Sequence, residues 1–242
     1  MSKNVKAEND NATSMVTPQT MPKIMIAIDG PSASGKGTVA RGLANYFDFS
    51  HLDTGLLYRA VGFKSFELDP SFGNEVTPIR VAQNFDAAWL DNPELRTDEV
   101  SAMASKVAVI PAVRSALLDF QRNFAINPPL EGAVLDGRDI GTVICPKAPV
   151  KLYVTASVEV RAQRRFHELT VKRNIETTYN QVLADLQARD ARDMNRAEAP
   201  LKPAPDSVLL DTSKMSIDDA IAMAIKLTND ALASDARRFV CV

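Results

Sequence analysis

Gly30-Pro31-Ser32-Ala33-Ser34-Gly35-Lys36-Gly37-Thr38 follows an apolar run, Lys23-Ile24-Met25-Ile26-Ala27-Ile28-Asp29, and precedes a segment from Lys36 to about Tyr46. In that segment Val39, Ala40, Leu43, Ala44 and Phe47 recur at helical spacing. Strand, glycine-rich turn and helix in this order make a cradle for phosphate. Glycines let successive backbone N–H groups turn inward around an anion, the helix N-terminus favours negative charge, and the lysine reaches the β- and γ-phosphates of a bound nucleotide.

The common form of this loop has Ser or Thr directly after the lysine. Here that position is Gly37, and the hydroxyl comes one residue later at Thr38. Gly-Lys-Gly-Thr resembles the nucleoside monophosphate kinases. The shift leaves open whether Thr38 holds Mg²⁺ directly or through water.

With 242 residues, 45% of them hydrophobic, the chain can bury one sizeable core, so one domain with insertions is expected. Lys and Arg number 28 against 30 Asp and Glu, a net charge of −2. No overall basic field points to nucleic acid or an acidic membrane, so an anion must be met locally. Cys145 and Cys241 are too few and too scattered for a disulfide framework or a zinc site. His51 and His167 have no metal spacing and read as surface or packing residues, which leaves catalysis to Lys, Arg and Asp. The apolar runs are too short to span a bilayer and the N-terminus lacks signal-peptide order, so a soluble cytoplasmic chain is expected. Residues 1–20 are polar and without periodicity, a disordered extension ahead of a single domain, 21–242.

Phe49 to Leu52 leads into Asp53-Thr54-Gly55, an N-cap for a helix carrying Tyr58 and Arg59. Residues 67–95, rich in Pro, Gly and Asn, allow a helix near Ile79 to Leu90 with Trp89 buried. Helices are expected over 97–108, 111–124, 157–168 and 175–196, and strands over 130–135, 150–154 and 207–210. A terminal helix opens on the capping pattern Ser216-Ile217-Asp218-Asp219. Alternating strands and helices give an α/β fold, a five-stranded parallel sheet with helices on both faces, whose ligands bind at the carboxyl ends of the strands.

Two clusters fall at that edge. Asp136-Gly137-Arg138 ends a strand, where the carboxylate can organise Mg²⁺ and the guanidinium can bind phosphate; a tight turn with an Arg–Asp pair explains the segment equally well. Arg189, Arg192 and Arg196 share a helical face with Asp193 beside them. Such a run is ordinarily a solvated face, unless two phosphate chains lie against it.

Taken with Leu52-Asp53-Thr54-Gly55, Tyr58-Arg59, Leu95-Arg96-Thr97 and Asp136-Gly137-Arg138-Asp139-Ile140-Gly141-Thr142, the loop and the Arg189–Arg196 cluster resemble the bacterial-type cytidylate kinases. The resemblance runs from about Lys23 to the terminal helix. It implies the P-loop nucleoside monophosphate kinase fold, with an NMP-binding region at about 59–125 and a lid at about 157–196, and transfer of the γ-phosphoryl of ATP to CMP or dCMP with Mg²⁺. By position, Gly30 to Thr38 and Arg192 would bind ATP. Arg59, Arg138 and Arg196 would meet the CMP phosphate; Ser105, Arg114 and Asp139 would read cytosine; Arg189 and Asp193 would approach the ribose, and Thr54 would also touch CMP. Lys36, Arg138, Arg189 and Arg196 would carry catalysis, with Mg²⁺ on Thr38 and Asp136, directly or through water. The partners implied are small nucleotides alone, met by a monomer without nucleic acid or membrane. The family's small β insert is shortened here, since 67–95 shows no alternating strands. Read without the resemblance, the residues also admit another small-molecule P-loop kinase, or a nucleotide-dependent switch; against the switch, no Asn-Lys-x-Asp motif occurs.

Overall fold

Alternate residues of β1 (Ile24–Asp29) serve two different cores, because successive side chains of a strand point to opposite faces. Ile26 and Ile28 pack with Val39 and Leu43 of α1 (Lys36–Phe47) and Ala224 of α8 (Ile217–Phe239). Ala27 meets Leu57 and Val61 of α2 (Thr54–Leu68) and Leu117 of α5 (Pro111–Ile126) on the other side. The computed structural model describes residues 23–239, with the side chains of 235–239 left aside; the expected extension 1–20 and Cys241 lie outside the described residues.

The sheet holds β2 (Ser50–Asp53), β3 (Gly132–Gly137), β4 (Val150–Thr155) and β5 (Val208–Asp211) in the order β2-β3-β1-β4-β5, every neighbouring pair parallel. Register aligns the carboxyl ends: Asp136 pairs with Asp53 on one side and with Ile28 on the other, and Asp29 pairs with Gly137 and Tyr153. The glycine-rich loop, Thr54 and Arg138-Asp139 therefore leave the sheet at one edge.

Several boundaries differ from expectation. The strand expected at 130–135 starts at Gly132, because Leu130 and Glu131 are exposed and the Leu130 N–H donates to Ser50 Oγ instead of the ladder. The last strand likewise shifts one residue, to Val208–Asp211. The helix expected at 79–90 is α3 (Val76–Gln83) followed by two short 3₁₀ turns, Ala87–Asp91 and Pro93–Arg96. Asp86 and Asn92 each cap a turn of their own, accepting from Ala88 N and Glu94 N, and so interrupt the helix. Trp89 is half-buried, edge-on to Phe85. Residues 67–95 contain no strand.

Between β2 and β3 stand α2, α3, α4 (Asp98–Val107) and α5; between β4 and β5 stand α6 (Val158–His167) and α7 (Tyr179–Asn195), joined by a wide turn, Glu168–Lys172. The α6–α7 unit has its own small core of Ala162, Leu169, Val182 and Leu186. α7 begins at Tyr179 and not at 175, with Thr178 as its cap, and ends at Asn195, so Arg196 leaves the helix in extended backbone. No single helix among the described residues is long and apolar enough to cross a membrane.

Asp29 fixes the turn after β3. Its carboxylate accepts from Ile140 N at 2.7 Å and Gly141 N at 2.8 Å, which sets the course of the chain through Arg138 and Asp139. Burial nevertheless pushes its pKa up from 3.8 to about 6. The folded carboxyl thus keeps a proton that the unfolded one has lost. Its stabilising contribution is complete below about pH 4 and is lost as pH rises through about 6. Asp29→Asn, which cannot titrate, is expected to gain on the wild type by on the order of 3 kcal/mol between pH 4 and 7. Urea denaturation at a series of pH values measures this; a constant difference across the range would show that Asp29 does not titrate there.

Candidate active site

The phosphate loop is shaped by close approach. A Cβ on Gly30 would stand 2.0 Å from the carbonyl oxygen of Val154, so only glycine fits beside β4. Gly35 takes φ 88° to start α1, and Thr38 N and Val39 N donate to its carbonyl at 3.0 Å. Ala33 also lies in the left-handed region, at φ 59°, uncommon for a residue with a side chain. Two loop carbonyls are tied from behind, Ser32 O to Arg161 Nη1 at 3.1 Å and Ser34 O to Thr212 Oγ1 at 3.1 Å. Arg161 is itself held by a buried ion pair with Asp190 at 2.7 Å. Neither Arg161 nor Thr212 was expected from the sequence; their roles arise from contacts 129 and 178 residues away.

Lys36 Nζ donates to Pro31 O at 3.3 Å. Its pKa falls to about 7, first through burial and then through the charge of Arg138, with Asp136 and Asp53 pulling the other way. Asp53 caps α2 by accepting from Gly55 N, as expected. Its own pKa is raised by burial and by Asp136 beside it. Asp136 Oδ1 lies 2.8 Å from His51 Nε2, and Thr54 Oγ1 donates to Asp136 O at 2.9 Å. His51 is therefore not a simple surface or packing residue: a one-strand separation in the sheet, invisible in the sequence, puts it on a site carboxylate. His167 is exposed, as expected.

The arginines converge. Arg59 of α2 donates to Leu95 O at 2.8 Å, Thr97 O at 3.1 Å and Ser101 Oγ at 3.1 Å. Arg138 Nε pairs with Asp193 at 2.8 Å, so Asp193 is held below the usual carboxylate range despite its burial. Asp139 receives Arg114 at 2.5 Å on one oxygen and Arg196 at 3.3 Å on the other, and all three side chains are buried. Arg189 donates to Ser101 Oγ at 2.8 Å; burial and the neighbouring arginines bring its pKa down to about 10. Arg196 reaches Asp139 because it has left α7, and Ala199 O at 2.7 Å fixes its other end. Arg192 is exposed.

One cavity of about 800 Å³ connects these groups. Lys36 and Gly37 line it together with Thr54, Ser105, Arg114 and Asp139, and with Arg59, Arg138, Arg189, Arg192, Asp193 and Arg196. Asp53 and Asp136 form part of the wall. Of the loop, Ser32, Ala33, Lys36 and Gly37 are in the lining, whereas Gly30, Pro31, Ser34, Gly35 and Thr38 are not. Thr38 Oγ1 lies 3.5 Å from Arg41 Nη2. Ser105 and Arg114, which on helix pattern alone would be ordinary surface positions, are half-buried and buried in this cavity.

The whole arrangement sits within a recognised sequence family. The family model described as "Cytidylate kinase" matches residues 26–230. A cytidylate kinase of Paramagnetospirillum magneticum is 56% identical over 204 residues, 83% of this chain and 95% of that one. One from Azorhizobium caulinodans is 51% identical over 208 residues, covering 86% and 99%, and one from Xanthobacter autotrophicus is 54% identical over 204 residues, covering 84% and 96%.

Proposed function

Since the chain belongs to the cytidylate kinase family, we propose that it transfers the γ-phosphoryl of ATP to CMP or dCMP within the cavity lined by the phosphate loop and Asp139. An oxygen of the nucleoside monophosphate forms the new bond to the γ-phosphorus, the bond to the β-phosphate oxygen breaks, and ADP leaves with CDP or dCDP. Such transfer is governed by positioning and charge neutralisation. The supporting observation is the convergence of Arg59, Arg138, Arg189 and Arg196 on the cavity that Lys36 enters.

On this reading Lys36 and the loop N–H groups hold the ATP phosphates, with Arg192 at the exposed side. Arg59, Arg138 and Arg196 receive the acceptor phosphate, and Arg189 with Asp193 lies toward the ribose. Cytosine presents an exocyclic amine that needs an acceptor, and a ring nitrogen and carbonyl that need donors. Asp139 and Ser105 supply the first kind of group and Arg114 the second. Residues 59–125 act as the NMP-binding region and 157–196 as a lid that excludes water from the transfer.

Mg²⁺ suits the carboxylate pair. Asp53 and Asp136 are adjacent in the sheet and burial makes their joint charge unfavourable, which a divalent cation relieves; Asp136 Oδ2 faces Gly37 of the loop. Asp136, with Thr38 through water, would hold it, and Mg²⁺ would neutralise charge on the β- and γ-oxygens. The proposed working unit is a monomer acting in the cytoplasm.

Coupled measurement of ADP production with each nucleoside monophosphate tests the function. Turnover with CMP and dCMP, well above that with AMP, UMP or dTMP, is the expected result; a clear preference for any of the latter three would overturn the substrate assignment.

A further inference from the structure

We infer that Ser101 is a positioning residue that aims Arg59 and Arg189 together at the acceptor nucleotide, Arg59 at its phosphate and Arg189 toward its ribose, an inference that rests on the function proposed above. Ser101 is 5% exposed, and its Oγ accepts from Arg59 Nη2 of α2 at 3.1 Å and from Arg189 Nη1 of α7 at 2.8 Å. One hydroxyl has two acceptor lone pairs, enough to receive both guanidiniums, one from α2 and one from α7.

The chemistry of the acceptors separates these two arginines from the others. Arg138 is paired with Asp193, and Arg114 and Arg196 share Asp139, so much of their charge is already answered. The hydrogen bonds of Arg59 and Arg189 go to neutral oxygens: Leu95 O, Thr97 O and Ser101 Oγ. Arg189 Nε is buried without a hydrogen-bond partner. Two like charges are thereby held close without a direct ion pair; burial is the first cause that lowers the pKa of each, and Arg59 is among the charges that lower that of Arg189. An acceptor that is neutral and small keeps the pair convergent while leaving its charge for an incoming anion. A carboxylate at this position would cancel that charge; an alanine would let the guanidiniums separate.

Ser101 lies on a face of α4 that also meets the α6–α7 unit. Asp98, three residues earlier, pairs with Arg165, and Arg173 donates to Arg96 O at 2.7 Å just before the helix. Ser105, four residues later, continues the same face into the cavity. Asp98 and Arg96 also join the two units, so the Ser101–Arg189 hydrogen bond is one of several contacts that hold them together.

The test compares wild type, Ser101→Ala and Ser101→Thr in steady-state kinetics with CMP and ATP varied separately. Ser101→Ala is expected to lower kcat/KM for CMP by about 10- to 100-fold, the effect of losing a hydrogen bond to a charged group, with KM for ATP within about twofold of wild type. Ser101→Thr, which keeps the hydroxyl, is expected to recover most of the loss. In an Arg189→Ala background the same alanine substitution is expected to add much less than it costs alone, because its effect passes through Arg189. Unchanged CMP kinetics in Ser101→Ala, equal losses for CMP and ATP, or full additivity with Arg189→Ala would each overturn the inference while leaving the proposed function standing. A wild-type chain that does not phosphorylate CMP would overturn both.

Discussion

Lys36→Ala is expected to lower kcat by about 10³-fold or more while the protein melts no lower than wild type at pH 7. The loss follows from where the charge is needed. As phosphoryl transfer proceeds, negative charge develops on the β–γ bridging region, and a preorganised cation in a water-poor site stabilises it far more than it would in bulk water. The melting behaviour follows from the electrostatics around the lysine itself. Burial and Arg138 bring the lysine down from 10.5 to about 7, so the fold at neutral pH works against its charge, and Pro31 O is its hydrogen-bond partner. Removing it relieves that opposition at little structural cost. Single-turnover kinetics and a thermal melt on the same preparation check both halves; near-normal turnover would remove Lys36 from the mechanism.

Asp139 separates stability from specificity. Asp139→Ala leaves two buried guanidiniums, Arg114 and Arg196, without their shared carboxylate, and the expected loss is about 3–5 kcal/mol in unfolding free energy. That loss would confound any assay, so function is better read from Asp139→Asn. The amide keeps one acceptor oxygen but adds an NH₂ donor and loses the charge. kcat/KM for CMP is expected to fall about 100-fold, KM for ATP to stay near wild type, and the preference for CMP over UMP to narrow, because uracil offers a carbonyl where cytosine offers an amine. Assays run well below the melting temperature of the variant give the ratio directly. Equal losses for CMP and ATP would assign Asp139 to structure alone.

The glycine-rich loop and its flanks were legible because strand, turn and helix are local: each depends on residues within a few positions of one another. The same holds for the caps at Asp53 and Ser216, where Gly55 N and Asp219 N meet the expected side chains. The segment 67–95 is less legible, since Asp86 and Asn92 offer local hydrogen bonds that compete with a continuous helix. Periodicity puts Arg196 on a helical face with Arg189 and Arg192, but α7 ends one residue short of it, and it reaches Asp139 from extended backbone. Ser105, Arg114 and Asp139 came only by resemblance; periodicity places Ser105 and Arg114 on helices and says nothing of the cavity they share.

What the sequence by itself determined is the alternation of strands and helices, the phosphate loop and the family, because these reside in local pattern and in the order of motifs. What the tertiary structure alone decided is which charge answers which. His51 meets Asp136 across 85 residues, Arg161 supports Ser32 across 129, and Ser101 joins Arg59 to Arg189 from two different elements. Such pairings depend on strand order, on the packing of α4 against α2 and on the reach of Arg189 from α7 to α4, and electrostatic energy falls with distance in space, not with separation along the chain.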